Sequence, residues 1–171
     1  MKRLYSPWRS SYIATFKDAK KSKRCLFCRI AKDKKKDAEN LVVWRGKHCY
    51  LVMNLYPYNS GHLMIVPYRH TSDLGKLSDA ENKEMMKATV MAMKALDKSS
   101  KPQGYNFGAN LGRAAGAGID EHVHFHVVPR WSGDTNFMPV LSDTKLISED
   151  MRKTWKELKK AVGSKEQGET R

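Results

Sequence analysis

Three histidines occupy alternate positions in the segment EHVHFHVVPR, residues 121–130. They are half of the six histidines in the chain, and the residues between and after them are β-branched or aromatic. Strict alternation of this kind predicts a β-strand whose successive side chains point to opposite faces. The imidazoles are expected on one face: His122, His124 and His126. Val123, Phe125 and Val127 are expected on the other face, and Pro129 is expected to end the strand.

A row of three imidazoles admits three interpretations. Histidines without any chemistry are the weakest of these, because each desolvated ring must still find a partner. A zinc site is the second, since a His-x-His pair on a strand can hold one metal ion. Covalent catalysis is the third, in which one imidazole attacks and its neighbours orient it or bind anionic oxygens. The surrounding sequence has to distinguish a zinc site from covalent catalysis.

A glycine-rich segment leads directly into the histidines. GYNFGANLGRAAGAG, residues 104–118, contains five glycines. Glycine lets the backbone approach a ligand closely and direct N–H groups at phosphate oxygens. A backbone anion cradle beside an imidazole nucleophile suits attack on a phosphorus atom, so this contiguity favours catalysis.

The pair of cysteines in CLFC, residues 25–28, is typical of half a zinc site. His48, His62, His70 and the histidine row offer the further ligands that such a site needs. A redox motif would require a thioredoxin-like strand-to-helix junction, which the sequence does not predict, and two free thiols are the remaining interpretation. Cys49 falls in a strand pattern and is expected to be a small core residue.

Length and composition indicate one domain that can bury a core, with 171 residues and no apolar run of membrane-spanning length. No apolar signal region opens the chain. Three cysteines, an odd number, argue against a disulfide framework. A cytoplasmic protein without a membrane partner is therefore expected.

The net charge of +14 is concentrated near the N-terminus. Residues 1–47 hold fifteen Lys and Arg against four Asp and Glu, which gives +11. A solvated surface is the simplest explanation, and the alternatives are steering of a polyanionic small molecule or loose nucleic-acid binding. The basic runs at 17–24 and 32–36 lack interleaved aromatic residues, so nucleic acid is not the expected partner.

Strand patterns occur at residues 41–45, 48–56, 62–68, 105–111 and 122–128. A capping box from Ser78 to Glu81 begins a helix with an expected core stripe of Met86, Val90, Met93 and Leu96. Ser148 is expected to cap a last helix that packs through one apolar face, formed by Met151, Trp155, Leu158 and Val162. The fold class is therefore α+β, with an antiparallel sheet of about five strands and two main helices.

The chain divides into three predicted parts. Residues 1–24 form a basic, aromatic arm that packs onto the body, and residues 25–140 form the domain. Residues 141–171 form a C-terminal helix and a frayed tail.

The segment HVHFHVV at 122–128 resembles the H-φ-H-φ-H-φ-φ signature of the histidine-triad (HIT) superfamily. The similarity extends to SPWRSSYI at 6–13, MNLYPYNSGHLMIVPYRH at 53–70 and HVVPRWSGDTNF at 126–137. Together these segments resemble the branch of dinucleoside polyphosphate hydrolases and phosphorylases, which includes the diadenosine tetraphosphate phosphorylases. The resemblance implies the HIT fold in a homodimer.

For catalysis, the resemblance implies that His124 attacks the α-phosphorus and forms a nucleotidyl-histidine, which passes to phosphate or water. His126 would contact the same phosphate. The implied partners are dinucleoside polyphosphates and purine nucleotides, with inorganic phosphate as an acceptor. The implied nucleotide-binding residues are Asn54, Leu55, His62, Asn110, Gly116, Ala117, Gly118, Ile119 and His126. Among these, Asn54 would bind the ribose and His62 would support the site.

The resemblance also implies a structural zinc ion. Its ligands would be Cys25, Cys28, His70 and His122, which leaves His124 free to react. Closed sites with four protein ligands are structural rather than catalytic.

One departure bears on the substrate. Many relatives carry Gln followed by Ser or Thr just before the triad, where this chain has Gly118 and Ile119. A polyphosphate leaving group is weakly basic and needs less help from a donor, so the departure favours dinucleoside polyphosphates. The alternatives are a purine-nucleotide phosphoramidase, a zinc-stapled nucleotide-binding module for signalling, and a nucleic-acid end processor that uses the basic arm.

Overall fold

The computed structural model describes residues 25–134, 147 and 150–163. The predicted arm at 1–24, the boundary at residue 140, the cap at Ser148 and the tail from residue 164 lie outside the described residues.

In the part of the chain that the structure describes, five antiparallel strands form one sheet with the order β1-β2-β3-β5-β4. Their bounds are β1 Val42–Arg45, β2 Cys49–Met53, β3 Leu63–Pro67, β4 Gly104–Gly108 and β5 Phe125–Arg130. Strands β2 and β3 are buried along their whole length, which agrees with their continuous apolar sequences. The antiparallel sheet of five strands confirms the predicted fold class.

Within the described residues, three α-helices accompany the sheet: α1 Leu26–Lys32, α2 Asp79–Ser99 and α3 Met151–Gly163. The same residues include three short 3-10 helices at Lys34–Lys36, Leu74–Lys76 and Arg113–Ala115. Helix α2 begins with the predicted capping box, in which Ser78 accepts from the Glu81 N–H and Glu81 accepts from the Ser78 N–H. The short α1 was not predicted.

The two faces of the sheet carry two separate cores. One core lies under α2 and α3 and includes alternate residues of β2, Cys49, Leu51 and Met53. The other lies on the opposite face and combines Tyr50 and Val52 with α1 residues such as Phe27. The alternation along β2 therefore places α1 on the face opposite the long helix.

Side chains of β1 and β2 hold α1 against the sheet. The Arg45 guanidinium donates to the carbonyls of Ile30 (2.8 Å) and Ala31 (3.2 Å) and pairs with Asp37 at 2.7 Å. The Tyr50 hydroxyl donates to the Phe27 carbonyl at 2.9 Å. These bonds satisfy carbonyls of a helix that is too short to be stable alone.

The last strand starts and ends later than predicted. It begins at Phe125, which pairs with Ile65, because the chain upstream turns away from β3 and the Val123 N–H donates to the Thr71 carbonyl at 2.7 Å. It also continues through Pro129. The Pro129 carbonyl accepts from Asn59 on the side away from β4, so the missing N–H removes no bond to β4.

The predicted core stripe of α2 was partly wrong. Met86 and Val90 are 53% and 49% exposed, whereas Leu96 is buried and Met93 is partly buried. The apolar residues that α2 buries are instead mostly alanines. They are Met85, Ala88, Ala92, Ala95 and Leu96. Both stripes have helical spacing, and the alanines let the helix approach the sheet closely.

The packing face of α3 was predicted correctly. Leu158 is fully buried, and the other three members pack against the core: Met151, Trp155 and Val162. At the start of α3, the Asp150 carboxylate accepts from the N–H groups of Arg152 and Lys153.

Candidate active site and metal centre

The histidine row lies on the α1 face of the sheet, at the N-terminal end of β5. His122, His124 and His126 are 0%, 6% and 8% exposed. Val123 and Val127 belong to the opposite core, with Phe125 packed against it, so the predicted division between two faces is confirmed.

His122 faces the two cysteines and His70. Its Nδ1 atom lies 3.4 Å from the Cys25 Sγ, 3.7 Å from the Cys28 Sγ and 3.3 Å from the Nδ1 of His70. Cys28 Sγ lies 3.4 Å from the same His70 nitrogen. All four ligand atoms lie within 4.8 Å of one another, so the four residues can hold a metal ion.

Four of the six separations between ligand atoms in this cluster fit a tetrahedral ion. Metal–nitrogen bonds of about 2.0–2.1 Å and metal–sulfur bonds of about 2.3 Å give tetrahedral edges of about 3.3–3.6 Å between two nitrogens or a nitrogen and a sulfur. The four measured separations, 3.3 to 3.7 Å, span nearly this range. The His122 Nε2 lies 2.9 Å from the Pro67 carbonyl, which can only accept, so Nε2 carries the proton and Nδ1 faces the cluster as a lone pair.

His124 has the opposite arrangement. Its Nδ1 lies 2.9 Å from the carbonyl of His122 and must donate to it. The neutral ring then carries its lone pair on Nε2. Burial lowers the pKa of His124, so the neutral ring is the stable form near neutral pH.

A chain of hydrogen bonds fixes the ring of His126. The Tyr58 N–H donates to the His62 Nδ1 at 3.1 Å, so the proton of the neutral His62 ring is on Nε2. That Nε2 donates to the His126 Nδ1 at 2.9 Å, which leaves the His126 proton on its own Nε2. This N–H is buried, and no described residue accepts from it.

Burial keeps both rings of this chain neutral. It lowers the pKa of His62 to about 3 and that of His126 to about 4, with repulsion between neighbouring histidines adding to each shift. The ring centroids of His124 and His126 are 4.9 Å apart. A lone pair and an unsatisfied N–H donor therefore lie side by side, an arrangement that suits an electrophile bearing an oxygen acceptor.

The other predicted nucleotide-binding residues lie at two places around this pair. Asn54 is beside His62, with its Nδ2 3.3 Å from the His62 Nδ1 and its oxygen accepting from the Tyr56 N–H. Leu55 is 60% exposed. Asn110 lies at the start of the glycine loop, residues 109–119 after β4. Its Nδ2 donates to the Tyr58 hydroxyl at 3.3 Å.

The glycine loop is only partly available as an anion cradle. Gly112 and Gly116 adopt positive φ of 82° and 89°, which allows the tight turn at Arg113–Ala115. The N–H groups of Gly116 and Ala117 donate to carbonyls within the loop. Those bonds do not engage the N–H groups of Gly118 and Ile119, and the Ile119 side chain packs against the α1-side core.

Sequence reasoning missed two aromatic residues of the site. The Tyr58 ring lies against His62 and His126, with centroids at 4.7 and 5.6 Å. The Phe27 ring lies against His122 and His124. Tyr58 lies in the loop after β2 and Phe27 lies in CLFC, two segments that were singled out for other residues. The spacing of these two aromatic residues did not predict a role in the site.

A polar brace joins the loop before β3 to the end of β5. Asn59 donates to the Pro129 carbonyl at 3.0 Å and to the Asp134 carboxylate at 2.8 Å. Arg130 donates to the same carboxylate at 2.6 Å. This brace accounts for polar residues in two of the segments that carried the resemblance.

The fold and the site define an α+β domain in which one histidine of the row belongs to a candidate metal cluster and the other two lie side by side. The chain belongs to the HIT domain family, because the model of that family matches residues 35–133. The AP-4-A phosphorylase of Mycobacterium tuberculosis (strain ATCC 25618 / H37Rv) is 43% identical over 159 residues, which are 90% of this chain and 80% of that protein.

Two further relatives bear on the site. An adenosine 5'-monophosphoramidase from Saccharomyces cerevisiae is 30% identical over 106 residues, covering 62% of each chain. Among solved structures, a Zn-bound histidine triad family protein from Mycobacterium smegmatis superimposes with a TM-score of 0.65 at 25% identity, over 81% of this chain and 92% of that one.

Among the described residues, no helix combines the length and apolar character that crossing a membrane requires.

Proposed function

We propose that this protein cleaves dinucleoside polyphosphates of the diadenosine tetraphosphate type by nucleotidyl transfer through His124. The relation to the AP-4-A phosphorylase supports the substrate class. The arrangement of lone pair and N–H donor at His124 and His126 is the observation that carries the mechanism.

In the first step, the His124 Nε2 attacks the α-phosphorus. A phosphorus–nitrogen bond forms while the bond to the bridging oxygen breaks, and the electron pair leaves with the nucleoside triphosphate. In the second step, an oxygen of phosphate or water attacks the same phosphorus and the bond to His124 breaks. From diadenosine tetraphosphate, phosphate gives ADP and ATP, whereas water gives AMP and ATP.

The surrounding groups stabilise the phosphoryl oxygens as charge develops. The His126 Nε2–H donates to one oxygen, and its direction is fixed by the bonds from Tyr58 through His62. The amides of Gly118 and Ile119 are the remaining part of the predicted cradle. Asn54 binds the ribose. Leu55 contacts the nucleoside, since its side chain is 60% exposed and accessible to a ligand.

We propose zinc as the ion of the metal cluster, held by Cys25, Cys28, His70 and His122. Two sulfur and two nitrogen ligands suit zinc, and four protein ligands leave no open position for substrate. Bound zinc supplies a structural crosslink between α1 and the approach to β5. Free thiols in such a site favour a reducing, cytoplasmic compartment.

The apolar residues exposed on one side of the domain support a homodimer. Strand β4 is an edge of the described sheet, and its Phe107 is 40% exposed. Met86 and Val90 are exposed on α2, whose Met93 carbonyl accepts from the hydroxyl of Tyr105 in β4. Analytical ultracentrifugation should show a dimer that Val90→Glu weakens.

Product analysis tests the proposed function. The protein is incubated with diadenosine tetraphosphate, with and without phosphate, and products are separated by ion-exchange chromatography. We expect ATP in both cases, with ADP as the second product when phosphate is the acceptor and AMP when water is. Two molecules of ADP without added phosphate would contradict attack at the α-phosphorus.

The relation to the monophosphoramidase makes adenosine 5'-monophosphoramidate the second substrate to test. Its leaving group is ammonia or an amine, which needs a proton. Ala117, Gly118 and Ile119 carry no side-chain donor, so we expect a lower kcat/KM than for diadenosine tetraphosphate. A higher value would favour the phosphoramidase function.

A further inference from the structure

Phe27 connects the two halves of the histidine row. It stands between Cys25 and Cys28 in the sequence, yet its side chain is only 2% exposed. The ring centroid lies 5.5 Å from that of His122 in an edge-on arrangement and 4.8 Å from that of His124 in a tilted one. One aromatic ring therefore contacts both the metal-cluster histidine and the proposed nucleophile.

Phe27 lies in a helical turn whose two cysteines belong to the metal cluster. Helix α1 has seven residues, and Cys25 at its start makes no side-chain cap bond. Such a short helix has no stability of its own, so its first turn is held by tertiary contacts. These are the bond from Tyr50 to the Phe27 carbonyl and the approach of Cys25 and Cys28 to the two cluster histidines.

The orientation of His124 in turn depends on what packs against its ring. One hydrogen bond, from Nδ1 to the His122 carbonyl, fixes one edge of the ring but permits rotation about that bond. The Phe27 ring limits this rotation from one side and His126 lies on another. Small displacements of a reacting atom are costly, since about 1 Å can lower a rate roughly 100-fold.

We propose that Phe27 is a positioning residue that couples occupancy of the metal centre to the orientation of His124. A bound cation draws Cys25 and Cys28 towards His70 and His122 and thereby presses Phe27 onto the His124 ring. Without the cation, the first turn of α1 loosens and the nucleophile loses one of its supports. The kinetic part of this inference rests on the proposed function.

The kinetic test compares Phe27→Leu with Leu26→Ala. Leucine keeps an apolar side chain of similar volume without the flat ring, and Leu26 is 40% exposed in the same turn. We expect Phe27→Leu to keep its zinc and lower kcat for diadenosine tetraphosphate by about tenfold, with KM changed less than about twofold. Leu26→Ala should match the wild type in both constants.

Chelation adds the second arm of a cycle. Removing zinc from the wild type should lower kcat by a factor similar to that of Phe27→Leu, whereas removing it from Phe27→Leu should have little further effect, because both changes remove the same support. If zinc removal lowered kcat by the same factor in Phe27→Leu as in the wild type, the coupling would be overturned. A Phe27→Leu variant with wild-type kcat would overturn the positioning role.

A spectroscopic readout keeps the test independent of turnover. The readout is NMR of protein isotopically labelled at the histidine rings. The His124 resonance is identified by its absence from His124→Ala. We expect its chemical shift to change in Phe27→Leu. Zinc removal should shift it in the same direction in the wild type but not in Phe27→Leu, while the His48 resonance stays fixed. Equal shifts on chelation in both proteins would contradict the proposal. This readout decides the coupling even if the wild type cleaves no dinucleotide, which would refute the proposed function alone.

Discussion

His122 and His126 stand four residues apart in one segment, yet the structure gives their rings opposite tasks. His122 donates through Nε2 to the Pro67 carbonyl and turns a lone pair towards two sulfur atoms. His126 accepts through Nδ1 from His62 and holds a buried N–H for which no described residue is the acceptor. The partner of one ring nitrogen thus decides whether the other nitrogen serves as a ligand or as a donor.

His124 lies between these two regions and shares features with each. Like His122 its ring is anchored by a backbone carbonyl, and its ring lies beside that of His126. In our account the metal-cluster end acts on the reaction only indirectly, through Phe27, whereas His124 and His126 carry the chemistry. Each of the following predictions separates the two ends by a different readout.

The largest effect is expected from His124→Ala. Losing the nucleophile should lower kcat roughly a thousandfold or more, while KM and zinc content change little, because binding groups and metal ligands remain. Steady-state kinetics and metal analysis measure both quantities. His48→Ala serves as the control, since His48 belongs to neither cluster, and a comparable loss of kcat there would contradict the assignment.

Cys25→Ser should affect the other end. Purified wild type is expected to carry about one zinc per chain, and the variant should lose it and melt about 5 °C lower or more, since 1 kcal/mol corresponds to roughly 2–4 °C in a chain of this size. Cys49→Ala, at a buried thiol outside the cluster, should keep its zinc. Wild-type protein prepared without chelator that contains no zinc would refute the metal assignment.

The free energy of unfolding should fall in acid because His62 and His126 are buried. Burial holds the pKa of His62 at about 3 and that of His126 at about 4, so the unfolded chain takes up protons below about pH 6.5 that the folded chain does not. The free energy of unfolding should therefore decrease as pH falls from about 6.5 towards 4, by up to about 1.4 kcal/mol per pH unit for each ring.

His62→Gln should make this decrease shallower, since glutamine can bond to both neighbours without titrating. Urea unfolding at pH 7, 6 and 5 measures the slope. Metal release in acid is common to both proteins and cancels in their difference. Parallel slopes would show that His62 is not held neutral by burial.

The smallest effect concerns the basic arm, which belongs to neither end. Residues 17–24 hold five basic and one acidic residue, and their deletion should lower kcat/KM a few-fold at low salt but not at high salt, where screening is strong. Deletion of residues 164–171, also eight residues but with two basic and two acidic ones, is the matched control. Equal rates at low salt would make the arm a solvated surface only.

Much of this arrangement was predictable because it depends on local patterns. Alternation placed the three histidines on one face, and the Ser78–Glu81 capping box located the start of the long helix. The resemblance identified all four residues that the structure brings into the metal cluster.

The remainder depends on tertiary contacts that no local pattern encodes. The start of β5 is set by the approach of Val123 to Thr71, and the passage of Pro129 through β5 is set by Asn59, 70 positions away. The exposure of Met86 follows from which of two equivalent helix faces meets the sheet. The contact of Phe27 with His124 depends on α1 packing against the sheet.

The most direct test of the account is to trap the intermediate on His124. Wild-type protein is mixed with diadenosine tetraphosphate without phosphate, quenched in alkali because phosphoramidates hydrolyse in acid, and examined by intact mass and peptide mapping. We expect one added AMP on the peptide that contains His124, the same adduct in Cys25→Ser, and none in His124→Ala. An adduct on another residue, or an adduct that persists in His124→Ala, would contradict the central claim that this histidine is the nucleophile.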